Sequence, residues 1–220
     1  MTPDYDRAAT LAAEQIIARH ITRLPIHPET VIQIMPNTVL VPYADVARVI
    51  NVARDELIVM LDPAQDAVTY VMNLSDDRHY YVVAYNAKKD FQRLRFTLAH
   101  ELGHRMMAHT GKKPEDVREA EADHFARHFL LPRAYVAMLL RRNIPLLDVN
   151  LHNVVGCTPQ CIERMRHAPE SHVAKKINRK IREQFVEFVD YLMDTHTLVM
   201  EPSENAHIVD LGHFMDGYED

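Results

Sequence analysis

Apolar residues recur at helical spacing through most of this chain and alternate in only two short stretches, and that contrast sets the fold class. Leu11, Ile16, Ile17, Ile21 and Leu24 form one stripe over residues 4–23, an amphipathic helix ended by Pro25 and Pro28. A short helix at 29–35, a short strand at 38–41 and a helix at 43–53 are expected next. Residues 67–73 and 79–86 are rich in Val and Tyr, and Ser75, Asp76, Asp77 and Arg78 supply turn chemistry between them, which predicts a β-hairpin. Helical spacing resumes at 90–109 and 114–131, with Gly111 and Pro114 in the joining loop, and Pro132 starts a further helix through Leu140. Short helices near 148–155 and 159–167 precede a long one over 171–194, where Ile177, Ile181, Phe185, Phe188, Val189 and Leu192 make the stripe. Strands at 197–200 and 208–211 complete the expectation. The sum is α+β: mostly helices, with a small antiparallel sheet beside helix 90–109 and a C-terminal helical extension.

The polar side of helix 90–109 carries the chemistry. His100 and His104 are one turn apart, so both imidazoles project from the same face and can grip one ion. Glu101 stands beside them, where a carboxylate can take a proton from bound water, and the H-E-x-x-H arrangement is that of zinc-dependent hydrolases. Phe96, Ala99, Leu102, Gly103, Met106 and Met107 share the opposite side and are expected in a core, while the small Thr97 and Ala108 leave room around the histidines.

A third ligand is sought on helix 114–131. Ala122, Phe125, Ala126, Phe129 and Leu130 form its apolar stripe; Glu119 lies roughly 50° from the middle of that stripe and Asp123 roughly 90°, on the same flank. A carboxylate at the edge of a buried face can reach a metal held on a neighbouring helix. Glu119 is therefore the candidate ligand, and Asp123 the candidate hydrogen-bond partner for a ligating histidine. Glu121, on the opposite flank, is the fallback. His124 and His128 repeat the i, i+4 spacing, but their expected direction is outward, to solvent. His109 reads either as a helix-terminal histidine or as a substrate-side donor.

The run from Arg95 to His104, followed by Glu119, Glu121, Ala122, Asp123, Phe125, Ala126, Phe129, Leu130, Leu131 and Pro132, resembles the ImmA/IrrE family of metallo-endopeptidases. The segment from Tyr80 to Asn86 looks like the strand that precedes the active helix there, and residues from Val155 to Arg166 look like its small C-terminal helical segment. The resemblance implies a zincin-like domain and a zinc peptidase, cytosolic and bacterial or phage-borne, with His100, His104 and Glu119 on the metal. It also implies a protein substrate, of which helix-turn-helix repressors are the common type. Asp123 stands where relatives often have asparagine, and nothing after residue 170 has a counterpart. The expected organisation is a peptidase domain at 1–168 and a C-terminal helix and tail at 169–220.

In a catalytic reading Glu101 is the general base, zinc the cofactor, and Tyr85, Asn86 and His109 line the substrate path, with the strand from Tyr80 to Asn86 pairing with an extended peptide. Tyr85, His109 and Tyr135 are candidates for a second oxyanion donor. The alternative is a non-proteolytic zinc protein that regulates a repressor or toxin by binding; an intact Glu101 favours the enzyme, because a structural site has no use for it.

Composition narrows the remainder. Net charge is −6 and hydrophobic content 47%, which suits a globular chain and argues against a general nucleic-acid binder. Cys157 and Cys161 are four apart with no second pair, so free thiols in a reducing cytoplasm are expected rather than a metal site. No apolar run is long enough for a membrane span, and no signal pattern opens the chain. Lys175, Lys176, Arg179, Lys180 and Arg182 are read as a solvated face of the long helix.

Overall fold

Alternation in two short runs and helical spacing elsewhere produce a small sheet set against a stack of helices. The structure, a computed structural model, describes residues 1–46, 48, 66–73, 79–109, 112–156, 158–201, 207–216 and 218. The main elements are α1 (Tyr5–Ala18), α2 (Pro28–Gln33), β1 (Thr38–Pro42), β2 (Ala67–Asn73), β3 (His79–Tyr85), α3 (Phe91–Met106), α4 (Glu115–Leu130), α5 (Arg133–Arg141), α6 (Pro159–Arg166) and α7 (Lys175–Asp194). The architecture is α+β, consistent with a zincin-like fold.

β2 and β3 pair antiparallel, with Thr69 opposite Val83 and Val71 opposite Tyr81. The sheet is nevertheless mixed, not antiparallel throughout, because β1 joins the far side of β3 in parallel and the order is β1-β3-β2. β3 is thus the central strand, and β2 has no second strand partner among the described residues. Period-two alternation turns Ala67, Thr69 and Val71 of β2 to one face, while Val68, Tyr70 and Met72 join Val41, Val46, Val82 and Ala84 in a small cluster on the other.

α3 begins where the Asp90 carboxylate accepts from the backbone N–H groups of Gln92 (2.9 Å) and Arg93 (3.3 Å). Its buried side, including Phe96, Ala99, Leu102 and Gly103, meets Ala122, Phe125, Ala126 and Phe129 of α4. Gly103 permits the close crossing. A Cβ there would sit 3.0 Å from both the Cα and the carbonyl oxygen of Ala122. Buried Arg95 ties α3 to distant chain, donating to the carbonyls of Ile26, Val155 and Gly156 at 3.0–3.2 Å.

α4 is enclosed on a second side too, which overturns the expected exposure of His124 and His128. They are 0% and 4% exposed. α1 packs along α4, with the Tyr5 ring 4.7 Å from His124, and Phe214 lies 5.0 Å from His128. Ser171 stands between the two imidazoles, its hydroxyl 2.9 Å from His124 Nε2 and 3.4 Å from His128 Nε2. Arg133 donates to the carbonyls of Ser171 (2.6 Å) and Asp216 (2.7 Å), closing this polar pocket. α7 packs on α1 and α5 through the buried Ile181, Phe185, Phe188, Val189 and Leu192, all in the same core as the residues under α3.

Some local expectations shift. Residues 197–200 and 208–211 are not strands: only a single bridge links Leu147 and Ile208, since the backbone of 146–148 satisfies that stretch. A 3-10 turn at Tyr43–Asp45 opens the helix expected at 43–53, and most of the rest of that span lies outside the described residues. The turn residues Ser75 to Arg78, Gly111 and Cys157 also lie outside them. No helix among the described residues is long and apolar enough to cross a membrane.

Candidate metal centre

Three donors converge in front of α3. His100 Nε2 and His104 Nε2 are 2.9 Å apart; Glu119 places Oε2 at 3.1 Å from the first and Oε1 at 3.3 Å from the second. One ligand atom from each of the three lies within 4.8 Å of the others, the one such grouping among the described residues. Two imidazoles and a carboxylate are a donor set suited to zinc.

Both rings are held from behind. His100 Nδ1 lies 2.8 Å from Asp123 Oδ1, whose other oxygen accepts from Arg127 at 3.3 Å. His104 Nδ1 lies 2.8 Å from His109 Nδ1, and His109 Nε2 is 2.7 Å from Glu121 Oε2. Each ring therefore turns Nε2 forward, as a metal-ligating histidine must. Glu121, the fallback ligand, is 0% exposed and faces away from the triad. It accepts from Lys113 Nζ (2.8 Å) and from the backbone N–H of Asp4 (2.9 Å) as well as facing His109.

The field at this point attracts positive charge. Burial disfavours a proton on His100, but hydrogen bonds to Asp123 and Glu119, with the nearby charge of Glu101, push its pKa up to about 9. His104 is driven the other way, to about 4, by burial and then by the charge on His100. The hydrogen bond to His100 lowers the pKa of Glu119; burial raises that of Asp123, but the bond to His100 together with the charges of His100, Arg127 and Arg164 brings it below its usual value. The residues fit a divalent ion.

Glu101 is 7% exposed, on the wall of the site beneath β2. Its Oε2 accepts from Thr69 Oγ1 at 2.6 Å. Burial raises its pKa, and the Thr69 bond partly opposes that. A carboxylate so poised is more basic than one in water and better matched to taking up a proton near neutral pH. Thr69 was not anticipated from sequence, although alternation along 67–73 put a lone hydroxyl on the strand face with Ala67 and Val71.

The site opens into a cleft of about 600 Å³ lined by β2, β3, α3, α4 and α6. His109 lines it; Tyr85 and Asn86 do not. Asn86 instead closes a turn, accepting from the backbone N–H of Lys88 at 3.1 Å, and Tyr85 packs against the core. Tyr135 is fully buried against Phe185, and burial raises its pKa. The side chains of Cys157 and Cys161 lie outside the described residues.

A helix pair presenting two histidines and a glutamate beside a buried carboxylate has the form of a metal-dependent hydrolase. The IrrE N-terminal-like domain family, a family of metallopeptidases, matches residues 55–165, half of the chain, and the protein belongs to that family. Membership makes it a metallopeptidase, its metal generally zinc and its substrate a protein. No curated protein and no solved structure matches the chain.

Proposed function

We propose that the protein is a zinc metalloendopeptidase of the cytoplasm that cleaves one peptide bond in a specific intracellular protein, a helix-turn-helix repressor in the reading suggested by the family resemblance. The observation that carries the reading is the convergence of His100, His104 and Glu119 beside a buried carboxylate on the wall of one open cleft. In this reading those three residues hold the ion, with Asp123 and His109 orienting the two imidazoles. Zinc, when bound, supplies a Lewis acid that lowers the pKa of water and polarises a carbonyl. Glu101 takes the proton of the attacking water and returns it to the leaving amine. Thr69 donates its hydroxyl to Oε2 and so orients the carboxylate on the wall of the cleft. The substrate lies extended along the outer edge of β2. The strand from Tyr80 to Asn86 cannot serve, because β1 and β2 already occupy both of its edges. Residues 1–168 form the peptidase unit, and 169–220 brace it from behind α1, α4 and α5.

The test is metal analysis followed by cleavage of candidate repressors with wild-type protein and Glu101→Gln. The variant is expected to keep its zinc and to lose turnover by at least about 100-fold. If regulation of the partner persists in the variant, the protein works by binding, and the proteolytic reading is wrong.

A further inference from the structure

The cleft carries more positive charge than its metal chemistry requires. Arg105 lies on the last turn of α3, with its guanidinium 3.9 Å over the ring of Tyr81 on β3. Arg118 lies on α4, next to Glu119 in sequence, close enough for its charge to act on His104, His109 and Glu119. Both line the cleft. The Nε atom of each is enclosed and has no hydrogen-bond partner, and neither arginine forms an ion pair with a carboxylate of the described residues. Arg164 of α6 adds a third cation at the rim, stacked 4.9 Å over Phe96.

The acidic groups in the same cleft are already engaged. Asp66 pairs with Arg93 and with Lys89 (3.4 Å), Asp123 with His100 and Arg127, Glu119 with the two histidines, and Glu101 with Thr69. Glu115 at the rim is left to oppose three arginines. Arg127 and Arg133 also leave Nε without a partner, but their terminal nitrogens are held, those of Arg133 by carbonyls and that of Arg127 by a carboxylate, and Arg95 is likewise bound to carbonyls. A guanidinium held flat on an aromatic ring has its orientation fixed before any ligand arrives, and its planar edge matches a carboxylate.

We propose that Arg105 and Arg118 select a substrate carboxylate, so that the preferred peptide is acidic beside the bond to be cut. This rests on the metallopeptidase reading and names its substrate class. Arg105 reaches the cleft from the sheet side, over Tyr81 of β3, and Arg118 from α4. Two sources supply the same group, an Asp or Glu side chain and the free end of a peptide.

Binding tests this without turnover. Zinc-loaded full-length Glu101→Gln protein is titrated into fluorescein-labelled decapeptides of Ala, Gly and Ser carrying three Glu or three Gln, each with a free or an amidated C-terminus. The Glu peptides are expected to bind about tenfold tighter than their Gln counterparts, with the gap narrowing as salt rises. Weaker binding of the Glu and Gln peptides alike on amidation assigns the group to the chain end; a Glu advantage that persists in the amidated peptides assigns it to the side chain. In Arg105→Gln/Arg118→Gln the Glu-to-Gln ratio falls towards 1. Equal binding of all four peptides by the parent protein, Glu or Gln and free or amidated, overturns the proposal and needs no variant. A preference that survives the double substitution also overturns it, since a group other than these two arginines then meets the carboxylate. Wild-type cleavage of the same peptides separates the two readings: acidic preference in binding with no peptide or protein cut removes the peptidase, while cleavage at equal rates removes the selectivity.

Discussion

Replacing Gly103 by alanine tests whether the crossing of α3 and α4 sets the metal geometry. In an isolated helix the change is favourable by about 1 kcal/mol. Here the new methyl would lie 3.0 Å from the Cα and carbonyl oxygen of Ala122 and 3.2 Å from the Cβ of Phe125, roughly 0.4 Å inside ordinary contact for the first two. Two of those atoms are backbone, so no rotamer change relieves them; the helices must separate. Overpacking of this kind costs about 1–3 kcal/mol, which cancels or exceeds the propensity gain. Glu119 is one turn before Ala122 and moves with it, while metal–ligand distances tolerate only about ±0.2 Å. The expected result is a metal-free protein less stable by up to about 2 kcal/mol in urea unfolding, and zinc affinity reduced at least about tenfold in competition with a chelator. Ala122→Gly added to Gly103→Ala should not rescue, because the contact is with Ala122's backbone. Unchanged zinc affinity with a raised Tm, or full rescue by that second substitution, would refute the reasoning.

The support behind His104 gives a second prediction: Glu121→Gln or His109→Ala should lower zinc affinity by roughly 10–100-fold, and a chelator titration showing no change would mean that the imidazole needs no such support. Stability should also fall in acid through His124 and His128. Burial and nearby arginines hold His124 down to about 3 and push His128 well below its usual value. The unfolded chain protonates both below about 6.5. Their contribution is therefore complete above that pH and is lost as pH falls towards the folded values, by about 1.4 kcal/mol per pH unit for each. Urea unfolding at pH 7.5 and 5.5 should show a stability loss smaller by about 1.4 kcal/mol in total across that window in His124→Gln; an equal loss would contradict it. Thr69→Val should keep zinc binding and move the acidic limb of the kcat profile, which Glu101 sets because it must be deprotonated, to higher pH, whereas a change confined to KM would place Thr69 on the substrate instead.

Local patterns revealed much of this arrangement, and the omissions have one cause. The wheel for residues 114–131 put Glu119 at the flank of an apolar stripe, and the structure sets it 3.1 Å from His100. It put Asp123 on the same flank, 2.8 Å from the same ring. The hairpin was legible because alternation and turn residues are both short-range signals. His124 and His128 were not, because a wheel registers one buried face and α4 has two, the second covered by α1 and by residues around Phe214 far along the chain. The parallel docking of β1 depends on its connection, which spacing does not encode. Arg105 had an overlooked signal: it follows Glu101 by four residues and so shares its helical face.

The cover over the back of α4 comes from segments more than 160 residues apart in the chain. Asp4 meets Glu121, Asp6 accepts from the backbone of His172, and Arg133 holds the carbonyl of Asp216. During synthesis the first of these segments leaves the ribosome long before the last. Until residues 207–216 emerge, His128 lacks the ring of Phe214, and α4 can be solvated and protonated on its reverse side. The helix that carries Glu119 thus reaches its settled position only after that segment has been made. A nascent chain stalled short of that point would hold zinc weakly even with every ligand already made.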